Sequence, residues 1–209
     1  MRNDGSRSML SREPDSIPCA SAPPPILPDL LQPGLRLVFC GSAAGTLSAR
    51  RGHYYAHPQN KFWATLHSIG LTPRRLDPSE FASLAEWGIG LTDIAKNVSG
   101  MDRQLPAGSL GRDACEDLRA RILAHRPAIL AFTSLTAGRS LLGGDAGFGE
   151  QAETIGATRL WLLPSPSPAA NGNWRANEPW WRKLAEAARL TKATEVTEFV
   201  LAERDGPGL

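Results

Sequence analysis

Four short apolar runs, each leading into a turn and then a helical pattern, constrain this chain most. They lie at residues 36–40, 89–92, 128–133 and 159–163. Apolar runs this short, bounded by turn residues, read as buried strands. Helical segments separate them. Residues 60–69 place Phe62, Trp63, Leu66 and Ile69 on one side and end at Gly70. Asp77-Pro78-Ser79-Glu80 is a helix start, with an Asp cap, Pro at the first position and Glu at the third, and its helix runs to Trp87. Residues 110–125 are amphipathic, with Leu118 and Ile122 inward, and Ser134 caps a short helix closing at Gly143-Gly144. Asn177-Glu178-Pro179 opens the last core helix through Trp181, Leu184 and Ala188. This alternation predicts a three-layer α/β/α domain around a four-stranded parallel sheet. Residues 97–109 read as a loop, and 195–201 alternate enough for a small extra strand.

The 209 residues suit one domain with tails. Residues 1–28 are rich in Ser, Pro, Arg and Asp and end in Pro23-Pro24-Pro25. Such a segment buries too little surface to offset its ordering entropy, so it is expected to be a disordered tail. The folded body is expected over residues 29–191, with a C-terminal extension over 192–209. A formal net charge of +2 permits nucleic-acid binding without demanding it. Cys19, Cys40 and Cys115 are far apart, with no CxxC pair, which argues against a structural zinc or an iron–sulfur cluster and fits a reducing cytoplasm. Neither His53 nor His57 has metal-ligand spacing with a thiol or carboxylate, so no metal site is expected. Signal and membrane-spanning patterns are not seen, and a cytoplasmic monomer is the expectation.

In open α/β sheets, ligands sit beyond the carboxyl ends of the strands. Three segments follow predicted strand ends here: Gly41-Ser42-Ala43-Ala44-Gly45, Asp93, and Pro164-Ser165-Pro166-Ser167-Pro168-Ala169-Ala170-Asn171. The first reads as a small-residue loop whose backbone can approach a ligand closely. Beyond it come Tyr54, Tyr55 and Asn60. A small loop, an aromatic platform and a polar anchor suit a flat, polar, ring-shaped ligand.

The order CGSAAG, then GHYYAHPQNKFW, then LPSPSPAA closely resembles the mismatch-specific uracil-DNA glycosylases of the uracil-DNA glycosylase superfamily. There the loop typically reads GINPG, the next segment FAHPxNRFW, and the last HPSPLS or NPSGLS. The likeness extends over residues 33–190 and is strongest from Gly41 to Trp63. It implies a four-stranded parallel sheet between helices and hydrolysis of the N-glycosidic bond of a flipped uracil, in single- or double-stranded DNA, without metal or cofactor. Carried onto this chain, it makes Gly41, Ser42, Ala43, Ala44, Gly45, Tyr55, Asn60, Ser165 and Ser167 the uracil pocket, with Tyr55 the stacking aromatic. Two departures stand out: Ala43 replaces the water-positioning Asn, and Ser165 replaces the second motif's His or Asn.

A replacement must stabilise a sugar with oxocarbenium character, and a carboxylate does so. Asp93 is the candidate; reading the base edge, or serving as a surface or capping Asp, are the other roles open to it. Tyr55 also reads as a core tyrosine, and Asn60 as a helix cap. Ala169 is too short for the family's Leu wedge, which leaves Asn171, Trp174 or Arg175 to fill the gap in the base stack. Arg50, Arg51, Lys61, Lys96 and Arg103 flank the site segments and are candidates for phosphate contacts. A lesion or abasic-site binder that does not cut is the competing reading. A phosphate or nucleotide hydrolase with a Gly loop is a weaker alternative, since GSAAG lacks the Lys-Ser/Thr ending of a P-loop.

Overall fold

The computed structural model describes residues 24–204, with side chains up to residue 190 except that of Asn171. Strand β1 spans Leu37–Ala44 and leads into helix α1, Thr46–Arg51. Helix α2 spans Phe62–Ser68, and a 3₁₀ helix spans Pro78–Trp87. Strand β2 spans Ile89–Ser99, helix α3 Arg112–His125, strand β3 Ile129–Phe132 and helix α4 Leu135–Leu142. Strands β4, Gly149–Ile155, and β5, Thr158–Leu162, form a hairpin. A 3₁₀ turn, Pro168–Asn173, precedes helix α5, Trp174–Arg204.

The sheet order is β2-β1-β3-β5-β4. Four strands run parallel, as predicted, and β4 adds an antiparallel edge that the sequence does not announce. Its residues, GEQAETI, are mostly exposed and polar, so no apolar run marks them. A two-residue turn beginning at Gly156 sets the hairpin, and Arg159 pairs with Glu150 at 2.6 Å across it.

Each face of the sheet buries its own cluster. On one side Phe39 meets Phe62 edge-on at 5.2 Å and stacks with Trp181 at 5.6 Å. The Trp181 indole N–H donates to the carbonyl of Pro164 at 3.1 Å, tying α5 to the segment after β5. On the other side Val38, Leu130, Phe132 and Leu162 pack against Leu118 and Ile122 of α3 and Ala137 of α4. Central strands covered on both faces are the reason these runs are uniformly apolar rather than alternating.

Three boundaries differ from the sequence reading. GSAAG is not a loop: β1 continues through Ala44, and Gly45 caps α1. Likewise β2 does not stop at Asp93 but runs to Ser99, because β1 extends beside it and supplies backbone partners. Residues 195–201 continue α5 as helix instead of forming a strand, since a helix satisfies its backbone internally whereas a strand needs a sheet edge. The ordered body also begins before residue 29. Leu27 is buried in the core, and the Ile26 N–H donates to the Lys96 carbonyl at 2.8 Å. Residues 1–23 of the expected tail, with Cys19, and residues 205–209 lie outside the described part of the chain.

Candidate active site

β3 ends at Phe132, level with Cys40 of β1 and Thr92 of β2. Past that line β1 and β2 continue as a two-stranded ribbon, and the first pair on it is Gly41 with Asp93. A cavity of about 790 Å³ opens here, lined by all of Gly41 to Gly45, and by Tyr55, Asn60, Asp93, Ser165, Ser167 and Ala169. The volume is in the range of small-molecule sites. The three separated sequence segments therefore do meet.

Asp93 is 4% exposed, and no hydrogen bond to its carboxylate is found among the described residues. Its Oδ1 lies so close above Gly41 that a Cβ there would collide with it. A side chain at this position would thus displace the Asp93 carboxylate, whereas the backbone conformation itself does not call for glycine. Burial raises the Asp93 carboxyl to about 7; Lys96 and Arg121 pull it down and Asp29 pushes it up. Desolvation prevails because, among the described residues, no donor reaches the carboxylate to offset its burial.

Tyr55 lies beside it. The ring stacks on Phe62 at 3.8 Å and 16°, which backs one face. Its hydroxyl is hydrogen-bonded to that of Thr133 at 3.1 Å. Burial, then the Asp93 charge, push the phenol above its ordinary range, so it stays neutral. Tyr55 has φ +52°, a left-handed conformation that bulky residues rarely adopt. Strain of this kind persists only where surrounding contacts over-determine it. Tyr54 is a core residue, 2% exposed, whose hydroxyl donates to the Pro28 carbonyl at 3.2 Å.

Asn60 lines the cavity, and its Oδ1 accepts the Phe62 N–H at 2.9 Å; it is not the cap residue of α2, which is Lys61. Ser165 accepts the Ser167 N–H at 3.3 Å, and the Lys61 N–H donates to the Pro166 carbonyl at 2.9 Å, joining the second and third segments. His57 holds the turn around Pro58, its Nδ1 accepting the Gln59 N–H at 3.2 Å. Of the cationic candidates, Arg50 and Arg103 are exposed on the cavity rim. Arg51 is off it, donating to the Ala56 carbonyl at 3.2 Å beside a second hollow of about 410 Å³. Lys61 and Arg175 are exposed but do not line the main cavity, and Asn171 lies in the 3₁₀ turn after β5. Trp174 is partly buried and packs against the core residue Trp181 at 6.1 Å.

Several lining residues escaped the sequence reading. Thr133 follows β3 directly, and its position past a strand end was the available signal. Ser134 was read as a cap and is one, accepting the Ala137 N–H at 3.0 Å, but its hydroxyl also meets Ser42 at 3.3 Å on the cavity wall. Met101, Asp102 and Gln104 form another part of the rim. Among the described residues no group of three or more His, Cys, Asp or Glu is placed to hold a metal ion, and no helix is long and apolar enough to cross a membrane.

Residues 28–189 match the model of the uracil DNA glycosylase superfamily. This chain belongs to that superfamily. It is also similar to the solution NMR structure of a candidate uracil DNA glycosylase from Methanosarcina acetivorans, at 21% identity over 78% of this chain and 96% of that one, with a TM-score of 0.49. Superfamily membership supports a DNA glycosylase role and DNA as the substrate.

Proposed function

We propose that this glycosylase hydrolyses the N-glycosidic bond of uracil in DNA, leaving an abasic site, and that it acts as a monomer. One observation carries the reading: a nearly buried carboxyl, with no hydrogen-bond partner among the described residues, faces a cavity next to an aromatic ring in a strained conformation. The flipped uracil stacks on Tyr55, whose other face Phe62 already supports; such stacking contributes roughly 1–3 kcal/mol. Backbone groups from Gly41 to Gly45 and the hydroxyls of Ser165 and Ser167 contact the base. As the bond between C1′ and N1 breaks, its electron pair leaves with uracil as the anion. The ionised Asp93 stabilises the positive charge on the sugar and takes a proton from the water that adds to C1′. A base with pKa near the working pH suits this step. Arg50 and Arg103 contact phosphates, which position DNA without reading its sequence.

A second reading has its own support. Ala43 and Ser165 stand where the resembled family carries polar catalytic groups, as expected of a protein that binds lesions without cutting. One experiment separates the two: a uracil-containing oligonucleotide is incubated with the purified chain in EDTA, treated with alkali and resolved on a gel. Strand cleavage at uracil supports excision. Retarded DNA without cleavage supports the binder, and loss of cleavage on chelation overturns the metal-free reaction.

A further inference from the structure

Behind the cavity four polar side chains close into one network. Asp29, from the segment preceding β1, accepts from Lys96 Nζ at 2.6 Å, from Thr92 Oγ1 at 2.7 Å and from Arg121 Nη1 at 3.0 Å. Arg121 also donates to the Thr92 hydroxyl and, through Nη2, to the backbone carbonyl of Asp93 at 3.1 Å. Lys96 Nζ donates to the Tyr54 hydroxyl at 3.3 Å. The charged side chains are only 14–21% exposed. None of them lines the cavity. Buried charges of this kind are costly unless paired, and pairing here is complete.

The network holds two cations and one anion beside Asp93. An ionised Asp93 therefore faces a net charge of about +1, and removing Asp29 would double it. The other titratable groups facing Asp93 are Cys40 of β1 and the Tyr54 and Tyr55 phenols, all held neutral by burial. Asp117 reaches Arg121 Nε at 3.0 Å from α3, but is 61% exposed and solvent-screened. Among the described residues, Asp29 is thus the little-exposed anion that pairs with both cations.

We propose that Asp29 is a positioning residue: by pairing with Lys96 and Arg121 it sets how much positive charge reaches Asp93, and hence the pH range over which the site works. The inference builds on the catalytic reading of Asp93, but concerns Asp93's ionisation and can be tested without turnover. It also gives a reason for the ordered N-terminal segment, which brings Asp29 to the edge of β2 through the Leu30–Leu91 bridge.

The test is titration of the Asp93 carboxyl by ¹³C NMR, assigned by its disappearance in Asp93→Asn, together with the pH profile of single-turnover uracil excision. Asp29→Asn should move the Asp93 midpoint to lower pH, and Lys96→Gln to higher pH, each by about 0.5 or more. Asp29→Glu, which restores the charge, should return it close to wild type. A merely structural network would not shift the two neutral variants in opposite directions. Unmoved midpoints, or movement in one direction for both, overturn the proposal. If Asp29→Asn does not fold, Asp29→Ser removes the same charge and takes its place in the comparison with Lys96→Gln. Should titration behave as expected while no uracil is released, the charge network stands and the catalytic reading of the site fails.

Discussion

Asp93→Asn should make the protein more stable, and the gain should depend on pH in a defined way. In the folded chain the Asp93 carboxyl is raised to about 7 from an ordinary 3.8. Between these values the folded state holds a proton that the unfolded state has released. Stability contributed by this group therefore falls as pH rises from about 4 to about 7, and its full cost is present above that range. A displacement of about three pH units at about 1.4 kcal/mol each gives a cost of about 4 kcal/mol as an upper figure. Asparagine never ionises and escapes it. The exchange of oxygen for an amide adds a constant that does not vary with pH. The quantity to read is thus the difference between variant and wild type in urea unfolding, at about pH 4.5 and about pH 8. With a slope of about 2 kcal/mol per molar urea, the midpoint difference should grow by up to about 2 M between the two conditions. A midpoint difference that stays constant across this range would refute the reasoning: Asp93 would then ionise as an ordinary surface carboxyl, and the desolvated site would not exist.

Three further outcomes follow from the same geometry. Tyr55→Ala should lower uracil-DNA turnover by about tenfold or more, matching a lost stacking contribution of 1–3 kcal/mol, while Tyr55→Phe keeps most of it; equal turnover in all three folded proteins removes Tyr55 from the base site. Gly41→Ala places a Cβ against Asp93 Oδ1, so single-turnover excision should fall more than thermal stability does; unchanged kinetics would show that the carboxylate need not sit there. Deleting residues 1–23 should leave the single-turnover rate intact, whereas deletion through Pro28 should lower the melting temperature by removing Leu27 from the core; equal stability of the two truncations contradicts the core role of that residue.

The parts of the fold visible in the sequence are those whose physics is local. Asp77 and Glu80 form the capping box their spacing announces, and Ser134 caps α4. The four central strands are apolar because both sides are covered. β4 was hidden because an edge strand facing solvent needs no apolar run, only a partner, and its partner β5 is defined by tertiary structure. The ends of β1 and β2 were misjudged for a related reason: small residues such as GSAA look like loop, yet paired strands hold them extended. Of the residues that line the cavity, Asp93, Tyr55, Asn60, Ser165 and Ser167 are legible as strand-end and motif positions. Thr133 was not, because a lone Thr after a strand carries no motif. Nor was the network of Asp29, Thr92, Lys96 and Arg121 legible, since it joins residues up to 92 positions apart that no spacing connects.

The central claim is that Asp93 supplies the charge for uracil excision. Its most direct test is single-turnover excision by wild type and Asp93→Asn on the same uracil-containing DNA, with binding affinity measured in parallel. Wild type should release free uracil and leave an abasic strand, faster as pH rises through about 7. The variant should be slower by at least about tenfold while its affinity stays within a few-fold, because it keeps shape and loses charge. A variant that excises uracil at the wild-type rate would contradict the claim.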